Sequence, residues 1–230
     1  MLKYQIFGKG NRVVVFLHGF MGNIHSFRGL ANGIAGESRV LLVDFGFDIE
    51  PIVPLTLDDY VSEVVDILNK ENIIDAYFVC HSFGGRVGVR LLAKYPHLAK
   101  GLVLIDSAGL KPRRGIRYYF RVYLHKFLKK LGKNGLKGSS DYRNLQPNQK
   151  ATFINVVNDF TDADLPNITF KVLLIWGARD KATPLYMARR YRRKLPQATL
   201  KIFKDCGHFC YLEKRGETLS LIRAYISEDD

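Results

Sequence analysis

Cysteine is scarce in this sequence, and long apolar segments are absent. Only three of the 230 residues are cysteine, at positions 80, 206 and 210. This odd number, in a chain without an export signal, argues against a disulfide framework and predicts reduced thiols. Cys206 and Cys210 bracket His208, but their spacing matches no usual zinc pattern, so we expect no metal site.

The N-terminal apolar runs are too short for a signal peptide or a membrane span. They are interrupted by Lys3, Gly8, Lys9 and Arg12, so we expect a cytoplasmic protein. With 47% hydrophobic and 25% charged residues, the chain has the composition of a soluble globular protein. Its length predicts one main domain with a substantial core. The sequence gives no signal for oligomeric state.

Acidic residues are scarce in one region, which leaves a large positive charge there. The formal net charge is +13, and between Lys111 and Lys150 twelve Lys or Arg face the single acid Asp141, a local charge of +11. Such a segment attracts anionic substrates or an anionic membrane surface, or it only keeps the protein soluble. No nucleic-acid recognition motif accompanies it, so we expect no nucleic-acid partner.

Short apolar runs recur along the chain, at residues 13–17, 39–44, 76–80, 101–106, 171–176 and 199–203. Continuous apolarity predicts strands that are buried on both faces, as in a parallel sheet covered by helices. The clearest helical pattern runs from about Leu57 to Lys70 and follows a capping box of Thr56 and Asp59. A second one follows Ser82 and ends near Pro96. We therefore predict a doubly wound α/β fold with a mostly parallel sheet.

Residues 111–165 break this alternation. They lack a convincing strand and contain two helical patterns, an amphipathic one from Ile116 to Leu131 and a second one in "NQKATFINVVNDF". We predict a core of residues 1–110 and 166–230, with residues 111–165 inserted as a small, basic, helical cap.

Polar residues follow the predicted strands at the edge where active groups collect in open α/β sheets. These residues are His18, Ser82, Asp106, Asp180 and His208. A serine hydroxyl becomes a nucleophile when a base takes its proton, and imidazole, with a pKa of about 6.5, suits that role. A carboxylate then fixes the imidazole tautomer. Asp180 and Asp106 are both candidates for this acid, and we favour Asp180.

The order Ser82, Asp180, His208 is that of the α/β-hydrolases. Five segments resemble motifs of that superfamily in register: "LHGFMGN", "CHSFGGRVGVRLLAKYP", "LVLIDSAG", "LLIWGARDKATP" and "CGHFCYLEK". The resemblance covers nearly the whole chain except residues 111–165. It implies an oxyanion hole formed by the backbone amides of Phe20 and Phe83.

Two departures from the superfamily pattern stand out. Cys80 replaces the first glycine of the usual G-x-S-x-G, where only a small side chain fits. The segment "VDFGFDIEPIVPLT" lacks the glycine- and serine-rich pattern usual in that loop, which affects one wall of the pocket. For the substrate pocket we name Met21, His81, Tyr119 and Tyr123. We interpret His81 as a packing or hydrogen-bonding residue and not as a catalytic one.

The predicted function is hydrolysis of a small-molecule carboxylic ester through an acyl-enzyme on Ser82, with His208 as base and then acid, and without a cofactor. The nearest alternatives use the same three residues for C–C bond hydrolysis or for the chemistry of the menaquinone-pathway lyase. A ligand-binding protein without turnover is an alternative of another class. In the blander interpretation, Ser82 only starts a helix and Gly84 and Gly85 only allow close packing.

Overall fold

A seven-stranded sheet forms the centre of the protein. The structure, a computed structural model, describes residues 2–113 and 145–227. The strands are β1 (Lys3–Gly8), β2 (Arg12–Leu17), β3 (Ser38–Asp44), β4 (Ala76–His81), β5 (Ala99–Ile105), β6 (Val172–Gly177) and β7 (Ala198–Phe203). Their order is β1-β3-β2-β4-β5-β6-β7, with β1 antiparallel to β3 and every other pairing parallel. The predicted fold class is confirmed, and all six predicted strands form.

Helices cover both faces of the sheet. Those within the described residues are α1 (Arg28–Ile34), α2 (Leu57–Lys70), α3 (Phe83–Lys94), α4 (Pro147–Asn158), α5 (Leu185–Lys194), α6 (Cys210–Glu213) and α7 (Arg215–Ser227). Alternate residues of the strands belong to two apolar clusters, one on each face of the sheet. The first cluster includes residues of α2, α3 and α5, and the second includes residues of α1 and α7. Because both faces of the sheet are buried, the sequences of its central strands are continuous apolar runs.

Helix α2 has the predicted bounds, and its predicted capping box is confirmed. The Thr56 side chain accepts a hydrogen bond from the Asp59 amide at 3.2 Å, and the Thr56 amide donates to the Asp59 carboxylate at 2.7 Å. These two bonds satisfy backbone donors that the first helical turn leaves free.

Residues 145–165 of the predicted cap lie against the core. The second helical pattern of that segment forms α4. Arg86 and Arg90, both on α3, hold the last turn of α4 and the chain that follows it. Arg86 is 7% exposed and donates to the carbonyls of Val156 and Asp159, while Arg90 pairs with the carboxylates of Asp159 and Asp164. The amphipathic pattern from Ile116 to Leu131 lies outside the described residues, so the cap remains a proposal.

None of the described helices combines the length and the apolarity that crossing a bilayer requires.

Candidate active site

Ser82 occupies a one-residue corner between β4 and α3. Its backbone has φ 48° and ψ −110°, a left-handed conformation that costs a non-glycine residue on the order of 1–3 kcal/mol. Strand β5 and the loop after it hold Ser82 there, because the Ser82 amide donates to the Ile105 carbonyl at 3.1 Å and the Ser82 carbonyl accepts from the Ala108 amide at 3.0 Å. At this corner Ser82 belongs neither to β4, which ends at His81, nor to α3, which begins at Phe83.

Glycines allow the start of α3 to approach the sheet. A side chain at Gly84 would overlap the Leu17 carbonyl, and one at Gly85 would overlap the Ser107 hydroxyl. The packing role considered for these glycines is therefore present. It does not compete with a chemical role for Ser82, since the same close packing fixes the corner.

Ser82, His208 and Asp180 form one hydrogen-bonded chain. The Ser82 hydroxyl lies 3.0 Å from His208 Nε2, and His208 Nδ1 lies 2.8 Å from Asp180 Oδ2. His208 sits in the loop between β7 and α6, and Asp180 follows β6. Since a carboxylate only accepts, Nδ1–H donates to Asp180, which leaves Nε2 free to accept the serine proton.

Asp180 is held as an anion by its hydrogen bonds. One oxygen accepts from the amides of Ala182 and Thr183 at 2.7 and 3.0 Å, and the other accepts from the Thr183 hydroxyl and from His208. Burial alone would raise the pKa of Asp180, but the bonds from His208 and Thr183 outweigh it and lower that pKa to about 2. A negative charge therefore faces His208 throughout the neutral range.

Asp106, the other candidate acid, is fully buried and turned toward the backbone. Its two oxygens accept from the Gly177 amide at 2.8 Å and from the Cys210 amide at 3.4 Å. Burial raises the pKa of Asp106 to about 7. Within the described residues no hydrogen bond joins Asp106 to the His208 ring, so the geometry favours Asp180 as its partner.

His81 ties the Ser82 strand to the His208 loop. It is 2% exposed, its Nε2 lies 2.9 Å from the His208 carbonyl oxygen, and the two rings are 4.9 Å apart. Because a carbonyl only accepts, Nε2 carries the proton. Burial and the nearby His208 ring lower the pKa of His81 to about 3, so it is neutral. His81 therefore donates a hydrogen bond to the backbone of the His208 loop.

Phe20 and Phe83, the residues whose amides are predicted to form an oxyanion hole, flank Ser82. Phe83 follows it directly at the start of α3, and Phe20 follows Gly19, where an added Cβ would lie 3.3 Å from Ser82 Cβ. Among the described residues, neither amide donates a hydrogen bond to a protein acceptor. Within that part of the chain, both donors remain available to an oxygen near Ser82.

An apolar pocket, here called the Phe47 pocket, begins at Phe20. Its walls include Phe20, Met21, Phe47, Ile49, Tyr60 and Leu145. The Phe47 ring packs on Phe20 and Phe83, with centroids 4.8 and 5.2 Å away. Much of the wall comes from the loop after β3. The sequence analysis assigned no role to the residues of this loop, Phe47 and Ile49 among them, although the many apolar residues of "DFGFDIEPIVPL" are a signal for a pocket wall.

A second depression, the His81 groove, shares Phe20 and Met21 with the Phe47 pocket. Its walls include Gly19, Met21, His25, His81, Phe209 and Leu212. Of the predicted pocket residues, Met21 borders both depressions and His81 borders the groove. Tyr119 and Tyr123 lie outside the described residues.

The sequence profile of the alpha/beta hydrolase family matches residues 14–220, and the chain belongs to this family. A 2-hydroxy-6-oxononadienedioate/2-hydroxy-6-oxononatrienedioate hydrolase from a Pseudomonas species is 24% identical, over 96% of this chain and 89% of the relative.

Solved structures share the fold. An esterase from Exiguobacterium antarcticum superposes with a TM-score of 0.80 at 16% identity, covering 99% of this chain and 96% of that one. A meta-cleavage product hydrolase from Pseudomonas fluorescens has a TM-score of 0.77 at 19% identity, covering 100% and 95% of the two chains.

Proposed function

We propose that the protein is a serine hydrolase that cleaves carboxylic esters through an acyl-enzyme on Ser82. The observation that carries this proposal is the unbroken chain of hydrogen bonds from the Ser82 hydroxyl through His208 to the buried Asp180 carboxylate. A binding protein without turnover has no evident need for this arrangement, nor for a serine kept in a strained backbone conformation.

In the first step, Ser82 Oγ attacks the ester carbonyl carbon while its proton passes to His208 Nε2. Asp180 stabilises the imidazolium that forms. The bond between the carbonyl carbon and the alcohol oxygen then breaks, and His208 returns the proton to that oxygen. A water molecule repeats the sequence on the acyl-enzyme, which releases the acid and restores Ser82.

The negative charge that develops on the carbonyl oxygen needs donors placed in advance. The amides of Phe20 and Phe83 are proposed for this role, since they flank Ser82 and have no other acceptor among the described residues. Donors that are already free and fixed require no rearrangement when the charge develops.

The Phe47 pocket supports an uncharged acyl group. None of its described lining residues is Lys, Arg, Asp or Glu, so it offers apolar contact and no ion pair. This favours a neutral acyl chain over a carboxylate-bearing one.

C–C bond hydrolysis is the second candidate. It is favoured by the likeness to relatives named as hydrolases of 2-hydroxy-6-oxo acids. The uncharged lining of the Phe47 pocket counts against a dioate substrate, and the basic segment 111–150 counts for one. The segment from Ser82 to Arg86, "S-x-G-G-R", resembles one in the menaquinone-pathway lyase. Its Arg86 donates to the backbone carbonyls of Val156 and Asp159 at the end of α4.

A substrate panel tests this proposal. The purified protein should hydrolyse p-nitrophenyl esters of increasing acyl length and leave 2-hydroxy-6-oxo dienoates intact, and Ser82→Ala should abolish the ester activity. Turnover of dienoates with no ester cleavage would replace the proposal with the second candidate. Absence of turnover on both panels would support the binding-protein alternative.

A further inference from the structure

The His81 groove and the Phe47 pocket share Phe20 and Met21 as lining residues, and their other walls contact different parts of the site. The groove contains His81 and Phe209, whose rings lie 4.9 and 5.3 Å from the His208 ring. The Phe47 pocket is joined through Phe47 to the ring of Phe83. Among the described ring contacts, none joins His208 to the pocket.

This difference decides which half of an ester each depression can hold. His208 must give its proton to the alcohol oxygen as the bond to that oxygen breaks, so the alcohol leaves on the His208 side of the carbonyl carbon. The acyl group then extends to the other side. Gly19, which borders the groove, also lies beside the nucleophile, because an added Cβ there would lie 3.3 Å from Ser82 Cβ.

The groove walls are uncharged and rich in exposed apolar surface. Met21, Phe209 and Leu212 are 53%, 51% and 56% exposed. None of the described groove residues is Lys, Arg, Asp or Glu, in a chain whose net charge is +13. Exposed apolar side chains gathered beside a reactive centre mark a surface that a ligand covers.

We propose that the His81 groove binds the alcohol portion of the ester and that this alcohol is uncharged and apolar, a hydrocarbon chain or an aromatic ring. This assignment rests on the ester hydrolysis proposed above. In this assignment Leu212 contacts the alcohol and Ile49 contacts the acyl group. Selectivity for the alcohol and selectivity for the acyl group can therefore be changed independently. Met21, which borders both depressions, contacts both halves.

Two matched substitutions test the proposal, because Leu212 and Ile49 are both aliphatic and are 56% and 53% exposed. Leu212→Ser and Ile49→Ser are compared on two ester series. One keeps the acyl group and lengthens the alcohol from methyl to hexyl, and the other keeps the alcohol and lengthens the acyl group. Neither side chain is buried, so both variants should fold, and their melting temperatures check this.

Leu212→Ser should reduce the preference in kcat/KM for hexyl over methyl esters by about fivefold and leave the acyl-length preference unchanged. Ile49→Ser should do the reverse. The assignment is overturned if Leu212→Ser alters acyl selectivity instead, or if the wild type shows equal kcat/KM across the alcohol series. Labelling of Ser82 by a fluorophosphonate separates the two proposals: labelled protein without alcohol selectivity refutes only the groove, whereas unlabelled protein without ester turnover refutes both.

Discussion

Gly88 makes room for the side chain of Cys80. A Cβ at position 88, on the second turn of α3, would lie 2.7 Å from Cys80 Sγ on β4. The departure from G-x-S-x-G at position 80 is therefore matched by a glycine on the facing helix. The corner at Ser82 keeps its close packing even though the first glycine of the usual pattern is missing.

This pairing predicts strong coupling between positions 80 and 88 in a double-mutant cycle. Gly88→Ala should destabilise the protein by about 1–3 kcal/mol, because the new methyl group overlaps Sγ in a packed core. In a Cys80→Gly background the same substitution should be neutral or stabilise by up to about 1 kcal/mol, the usual helix preference for alanine. Urea unfolding of the four proteins measures the coupling, and equal effects of Gly88→Ala in both backgrounds would refute the pairing.

The two buried aspartates should respond differently to removal of their charge. Asp180→Asn should lower kcat on the order of 10⁴-fold, because it favours the wrong tautomer of His208. Asp106→Asn should lower kcat less than tenfold. Its main effect should be a loss of about 1–3 kcal/mol of stability. The asparagine side chain has only one oxygen, so its NH₂ group would face one of the two backbone N–H donors, of Gly177 or Cys210. A crippling Asp106→Asn beside a mild Asp180→Asn would reverse the assignment of the acid.

His81 should act by positioning His208. His81→Phe keeps an aromatic ring but loses the donor to the His208 carbonyl, and we expect kcat to fall about 10- to 100-fold with KM nearly unchanged. His81→Gln retains a donor and should recover most of the loss. His97→Gln, at an exposed position outside the site, is the control. If His81→Phe retained wild-type kcat, the hydrogen bond would have no part in turnover.

The neutral state of His81 should also make stability depend on pH. In the unfolded chain this imidazole takes a proton below about pH 6.5, whereas in the folded protein its pKa is lowered to about 3. The contribution of the neutral His81 to the free energy of unfolding is therefore complete above about pH 6.5. It is lost as the pH falls toward 3, by at most about 1.4 kcal/mol per pH unit. Asp106, whose pKa is raised to about 7, contributes the opposite slope from about pH 4 to 7 in both proteins, so it cancels when wild type and His81→Phe are compared. Parallel stability curves for the two proteins would contradict the buried, neutral His81.

The charge of residues 111–150 should affect anionic substrates only. If this segment steers them, rising salt lowers kcat/KM for a carboxylate-bearing ester and leaves a matched neutral ester unaffected, because ions screen the field beyond about 10 Å at 0.1 M. Glutamate substitutions at Arg113, Arg114 and Arg117 should remove this dependence. Equal salt responses of both esters, together with no binding to anionic vesicles, would leave the charge as a solubilising surface.

The central strands and the polar residues that follow them could be predicted from the sequence, because strands that are buried on both faces consist of continuous apolar residues. Strand β1 escaped prediction, since it lies at the sheet edge and its residues are only partly buried. The order of Ser82, Asp180 and His208 indicated the site, but only the fold shows that Asp106 faces Gly177 and Cys210. Phe47 lies in none of the five motif-like segments, and Leu212 lies in "CGHFCYLEK" without a role that the motif assigns. Their places in the pocket and the groove depend on long-range packing that spacing along a chain does not encode.

The most direct test of Ser82 as the nucleophile is the intact mass of the protein after reaction with a fluorophosphonate. We expect one adduct, which peptide mapping places on Ser82 and which is absent from Ser82→Ala. An unmodified wild-type protein, or an adduct retained in Ser82→Ala, would contradict the proposal that Ser82 is the nucleophile.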